Sequence, residues 1–169
     1  MRRKFLIQCA AATLAIGALQ GCGSVKSVTS RALNMVGIKG GILDWSQVVI
    51  AAAPGANQNS PVAVDIVLVL DEPAMEKLAG LSAAKWFQTR ADLLKTFPGT
   101  VSYRSWEVSP GQTVRVPGSS FGSPSVVGVF VFADYLAPGE HRMRVEQLQN
   151  GIILELGPRG FTVSPFKAE

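Results

Sequence analysis

Residues 62–70 read Val62-Ala63-Val64-Asp65-Ile66-Val67-Leu68-Val69-Leu70, and this alternation decides the fold class. Successive side chains of a strand point to opposite faces. Val62, Val64, Ile66, Leu68 and Leu70 therefore share one face, with Ala63, Asp65, Val67 and Val69 on the other. Upstream, residues 47–52 are apolar and β-branched and stop at Pro54-Gly55. Downstream, strand patterns recur at 103–108, 112–116, 126–135, 141–147, 152–156 and 161–164. The breakers Pro110-Gly111, Pro117-Gly118, Pro138-Gly139, Asn150-Gly151 and Gly157-Pro158 separate them. Short strands at such regular spacing predict a mainly β fold, a sandwich of about eight strands. Residues 126–132 are apolar on both faces, as a central strand is, whereas Arg142, Arg144 and Glu146 alternate with Met143 and Val145, as in a strand with one wet face.

One segment, between the second and third strands, has a different period. Residues 73–80 and 82–97 read as helices forming an insertion at 73–97. Pro73 suits a first helical position, Gly80 a stop and Ser82 an N-cap, and Pro98-Gly99 ends the run. Ala83, Trp86, Phe87, Leu93, Leu94 and Phe97 fall near one helical face, which predicts packing against the sandwich. Asp71 and Glu72 suit the positive end of the first helix.

The 169 residues carry 16 Lys+Arg against 12 Asp+Glu, and this basicity is unevenly placed. Met1-Arg2-Arg3-Lys4 is a positive start followed by an apolar run, residues 5–19, too short for the roughly 20 residues of a membrane-spanning helix. This reads as a secretory signal over residues 1–21. Leu19-Gln20-Gly21-Cys22 resembles a bacterial lipobox, in which the cysteine is acylated and becomes the new N-terminus; Gln20 departs from the usual small residue. Several acyl chains, at about 0.8 kcal/mol per buried CH₂, anchor a protein stably where one is marginal. Cys22 is then a covalent lipid anchor, and Gly23 in place of the aspartate found in inner-membrane lipoproteins directs the chain to the periplasmic face of the outer membrane. Residues 22–43 form a Ser/Gly-rich tether able to reach about 70 Å when extended, and residues 44–169 the folded domain. Without Arg2, Arg3 and Lys4 the remaining 13 basic residues nearly balance the 12 acidic ones.

Catalytic signatures are absent from the sequence: it has no phosphate-binding glycine loop, nucleophile elbow or metalloprotease histidine pair. His141 is the sole histidine and reads as structural. Asp71, Glu72, Asp134 and Glu140 could serve as paired carboxylates or calcium ligands, but their spacing follows no metal loop. Basic residues are scattered without an aromatic stacking array, so nothing supports nucleic acid binding. Neither a catalytic residue nor a cofactor or metal beyond the lipid is expected, and by elimination the domain is a binding module whose loops carry recognition.

The order of these parts resembles the TssJ-type outer-membrane lipoproteins of bacterial type VI secretion systems, the family that includes VasD, Lip and SciN. The matching stretches are the lipobox, residues 56–61 feeding 62–70, the Trp86-Phe87 helix, Val108-Ser109-Pro110-Gly111-Gln112 and residues 126–135. The resemblance implies a two-layer, transthyretin-like β-sandwich with helices on one side and no enzymatic activity. It also implies binding to the periplasmic domain of TssM, tying the secretion membrane complex to the outer membrane. The family's contact loop maps onto Pro54, Gly55, Ala56, Asn57, Gln58, Asn59, Ser60 and Pro61, which could equally be a solvated hairpin connection. Two other readings stand beside it: an envelope lipoprotein carrying a small apolar ligand between its sheets, and a transthyretin-like hydrolase, whose terminal Tyr-Arg-Gly-Ser this chain lacks.

Overall fold

A computed structural model describes residues 40–167; the leader, Cys22 and most of the tether lie outside the described residues. In chain order the elements are β1 (Gly41–Ile42), β2 (Asp44–Ala52), β3 (Val62–Val69), α1 (Glu72–Ala79), α2 (Ala83–Thr96), β4 (Val101–Val108), β5 (Thr113–Pro117), β6 (Ser125–Val126), β7 (Gly128–Asp134), β8 (Arg142–Val145), β9 (Gln149–Leu156) and β10 (Phe161–Pro165). Eight strands build two four-stranded sheets, in the orders β10-β9-β2-β5 and β4-β3-β7-β8. All pairings are antiparallel except β2 with β9. The insertion lies between β3 and β4, the second and third of these eight strands, as the periodicity predicts.

The two remaining strands, β1 and β6, pair over only two residues, too short a run for alternation to reveal. They add residues 41–42 to the described β structure. Leu43 is fully buried and its N–H donates to the Pro124 carbonyl at 3.0 Å, so the folded body takes in residues 41–43, which the sequence reading assigns to the tether.

The sheets enclose the main core. Val48, Ile50 and Ala52 of β2 pair with Ile152, Leu154 and Leu156 of β9 and face Val62, Val64, Ile66 and Leu68 of β3. Where the parallel pair begins, β2 bulges between Trp45 and Gln47, bringing the Gln47 carbonyl within 1.8 Å of where a Cβ on Gly151 would stand, at φ +128°. Only glycine meets both conditions.

A second core fills the space between the β4-β3-β7-β8 sheet and the helices. Val67, Val69, Phe130 and Phe132 there meet Met75, Leu78, Ala83, Trp86 and Leu93. Strand β3 is thus covered on both faces, while Leu70 falls just beyond its end and is partly exposed. The Arg142 and Arg144 face of β8, expected to be wet, is half-covered. These residues pair with Phe132 and Phe130 on the helix side, and Arg142 Nη1 donates to the Leu81 carbonyl at 2.7 Å.

Asp65 is fully buried in this second core. Oδ2 accepts from Trp86 Nε1 at 2.8 Å and from Arg90 Nη1 at 2.6 Å, and Oδ1 accepts from Ser105 Oγ at 2.6 Å. The Arg90 guanidinium also lies over the rings of Phe87 and Tyr103, 5.1 and 5.2 Å from their centroids. Trp86 stacks on Phe132 at 5.0 Å. One carboxylate thereby sets the register of α2 on the sheet. Both helices are capped: Asp71 Oδ1 accepts from Ala74 N at 3.0 Å and Ser82 Oγ from Lys85 N at 3.3 Å. Asp71 is therefore the N-cap of α1, and Pro73 stands in its first turn.

Removing one member of a buried ion pair costs about 3–5 kcal/mol when the other is left desolvated. Arg90 keeps about a third of its side chain in water (32%), so Asp65→Ala is expected near the lower end, about 3 kcal/mol. Urea unfolding of wild type and variant measures this; a loss below about 1 kcal/mol would show that the carboxylate does not hold the helix.

Candidate functional site

Strand directions divide the sandwich into two ends. The described chain enters beside β1, at the start of β2. Nine residues later β2 delivers it to residues 53–61 at the opposite end, about 30 Å away. The β4–β5, β7–β8 and β9–β10 turns gather at this second end, where the Pro-Gly and Gly-Pro pairs Pro54-Gly55, Pro110-Gly111, Pro138-Gly139 and Gly157-Pro158 all lie.

Residues 54–61 do not form a hairpin, because β2 and β3 belong to different sheets and the segment crosses between them. Ala56–Asn59 makes a short 3₁₀-type turn in which Asn57, Gln58 and Asn59 all have positive φ, 46°, 57° and 62°. Left-handed backbone costs roughly 1–2 kcal/mol per residue outside glycine, less for asparagine. Asn57 holds the conformation. Only 3% exposed, it donates from Nδ2 to the Pro61 carbonyl at 2.9 Å, accepts at Oδ1 from Leu136 N at 2.8 Å, and donates its own N–H to the Gly157 carbonyl at 3.1 Å. One asparagine thus ties its loop to the β7–β8 and β9–β10 turns. The β4–β5 turn is attached as well, through Gly111 N to the Ala52 carbonyl at 3.0 Å.

Of the eight loop residues singled out by sequence, Ala56 and Asn57 are buried and act as the loop's support. Pro54, Gln58, Asn59 and Pro61 are exposed, and Gly55 and Ser60 are half-buried. Gln58 and Asn59 therefore stand on a braced turn with amide groups free for hydrogen bonding. Sequence reasoning missed Leu136, a large apolar side chain 66% exposed on the neighbouring turn. An alternating pattern cannot tell a buried loop leucine from one held outward. The closely spaced Asn57 and Asn59 could have signalled the left-handed backbone, since asparagine tolerates it best after glycine.

The carboxylates do not converge. Asp71 and Glu72 lie at the start of α1, at the tether end, while Asp134 and Glu140 flank the β7–β8 turn at the other. Among the described residues no group of three or more His, Cys, Asp or Glu is placed to hold a metal. His141 Nε2 donates to the Ala137 carbonyl at 2.7 Å and its ring stacks on Tyr135 at 4.8 Å, so it braces the turn. Fully buried side chains such as Ile50, Ile66, Ile152 and Leu154 occupy the space between the sheets. A depression of about 560 Å³ lies at the surface beside the β9–β10 turn.

Tyr135 closes this end from beneath. It is 8% exposed and its hydroxyl donates to the Gly160 carbonyl at 2.8 Å. Burial pushes its pKa from 10.0 up to about 12, against a lowering by the Gly157 backbone.

No protein-family model matches the sequence, and no curated protein matches it. Among solved structures, the domain is similar to the type VI secretion lipoprotein TssJ1 from Pseudomonas aeruginosa, at 17% identity, 73% coverage of this chain, 98% of that one and a TM-score of 0.50. It is also similar to a chain of a type VI membrane complex, at 16% identity, 75% and 100% coverage and a TM-score of 0.51. At these identities the likeness is one of fold, and the fold is that of the family the sequence resembles.

A phenol whose pKa is raised in the folded state contributes stability in full below its unfolded value and loses it as pH rises through the folded one. Stability is therefore expected to fall between pH 10 and about 12, by roughly 2–3 kcal/mol from this group. Tyr135→Phe should remove that slope, measured as the difference between the two urea-unfolding series across this range. Parallel slopes would count against the assignment.

Proposed function

We propose that this chain is the lipid-anchored outer-membrane component of a type VI secretion membrane complex, and that it binds the periplasmic region of TssM through the exposed residues of 54–61. It works as a non-catalytic tether. Cys22 carries the acyl chains, residues 23–40 span from the lipid to the domain, and the domain presents its braced loop at the far end.

The observation that carries this reading is the position and construction of the loop. The described chain enters at one end of a sandwich about 30 Å long and the loop stands at the other, which leaves the loop clear of the segment leading to the anchor. Asn57 fixes the loop before binding, which lowers the ordering cost of association. Gln58 and Asn59 then offer neutral hydrogen-bonding groups suited to a protein surface. The shared fold with type VI secretion lipoproteins supports the same reading.

Glycine accepts the left-handed backbone at positions 58 and 59, so Gln58→Gly with Asn59→Gly removes the side chains while retaining the loop path. The double variant is expected to weaken binding to the TssM periplasmic region about tenfold or more, with its thermal midpoint near wild type. Unchanged affinity in a purified two-component titration would refute the loop assignment. Cys22→Ser is expected to move the protein from the outer-membrane fraction to the soluble periplasm and to stop secretion. Retention of the variant in the outer membrane would refute the anchor.

A further inference from the structure

The feature that the loop reading leaves unused is Leu136, with the cleft beside it. Its side chain is 66% exposed on a turn held in place at several points. Its own N–H is bound to Asn57 Oδ1, Tyr135 before it is anchored to Gly160, and the Ala137 carbonyl after it accepts from His141. The turn is also docked on α2, through Ala83 N to the Glu140 carbonyl at 2.8 Å. A leucine fixed outward on a braced turn presents its apolar surface in one orientation. Entry of that side chain into an apolar socket on another molecule is favourable by the area it removes from water.

Beside Leu136, between the β7–β8 turn and the start of α2, is a cleft of about 290 Å³. Its lining includes Ala83, Tyr135, Ala137 and the exposed Asp134, with no lysine or arginine; His141, also in the lining, has its Nε2 engaged by the Ala137 carbonyl. Asp134 makes no ion pair among the described residues. A lining of mixed apolar and polar surface that includes an unpaired carboxylate can take the alkyl stem and cationic head of a lysine or arginine.

We propose that the recognition surface is a composite of two loops, residues 54–61 and 135–141 joined through Asn57, in which Leu136 is the apolar anchor and the adjoining cleft receives a basic side chain of the docking protein. This rests on the functional reading above. The occupant is a protein in place of the anchoring membrane because an exposed, unpaired carboxylate with no lysine or arginine beside it repels anionic headgroups and suits a basic side chain. Asn57 acts as a positioning residue, since a shift of either loop is passed to the other through its side chain.

The test has two arms, each using residues 22–169 with Cys22→Ser. Against the TssM periplasmic region, Leu136→Ser is expected to lower affinity about tenfold or more. Asp134→Asn should lower it about threefold with a shallower salt dependence. Both variants should unfold at the wild-type midpoint. Wild-type affinity in both overturns the proposal while leaving residues 54–61 as the contact. The second arm needs no protein partner. Arginine amide titrated into isotopically labelled protein is expected to shift the backbone amide signals of Ala83, Asp134 and Leu136, and Asp134→Asn to abolish those shifts. Signals that stay put, or move equally in the variant, overturn the cleft assignment. Shifts with arginine amide in a protein that does not bind TssM uphold the cleft and overturn the functional reading instead. Self-association or vesicle binding that Leu136→Ser abolishes would make the occupant a second copy or a lipid surface, overturning the assignment to a different protein.

Discussion

Strand β3 is buried on both faces, and the single charge it carries, Asp65, has to be satisfied without water. Trp86, Arg90 and Ser105 do this with three hydrogen bonds, two of them reaching across from α2. The rest of the domain depends on this requirement. An ionised carboxylate left alone in such a place would cost far more than the few kcal/mol by which a domain is stable. The helix must therefore sit where its tryptophan and arginine reach Asp65. Once it does, Trp86 stacks on Phe132 and the second core closes over the sheet. The turn from β7 to β8 is then held against the start of α2.

A similar economy operates at the loop end. Asn57 occupies a backbone conformation unfavourable for most residues and meets the surrounding polar groups in return. Its side chain satisfies one carbonyl and one N–H from different segments and its backbone N–H reaches Gly157, so three turns behave as one surface. Rigidity of this kind suits recognition of a partner surface. Binding energy is not spent on ordering the loop, and the exposed Gln58, Asn59 and Leu136 are presented in a fixed arrangement.

The alternation of residues 62–70 and the two-sided apolar run at 126–132 were sufficient for the class of fold, because a strand with one buried face alternates with period two and a central strand reads as a short unbroken apolar run. Helix α2 was legible from its stripe and its Ser82 cap. The site was legible only in outline. The segment 54–61 could be located, yet which of its side chains face outward could not, since an irregular turn has no period from which to infer facing. Ala56 and Asn57 proved to be internal. The two-residue strands β1 and β6 were invisible for the same reason, and with them the packing of Leu43 against the body.

The sequence by itself determined the mainly β class, the number of long strands, the place of the helical insertion and the resemblance to secretion lipoproteins. These follow from local periodicity, breaker residues and order along the chain. Only the tertiary structure decided that β2 pairs in parallel with β9, that Asp65 is a docking point and not a solvated charge, and that Asn57 joins loops 79 residues apart. Each of these depends on a partner distant in sequence. Where a group must find its hydrogen bond is a property of the packed chain, which local pattern cannot carry.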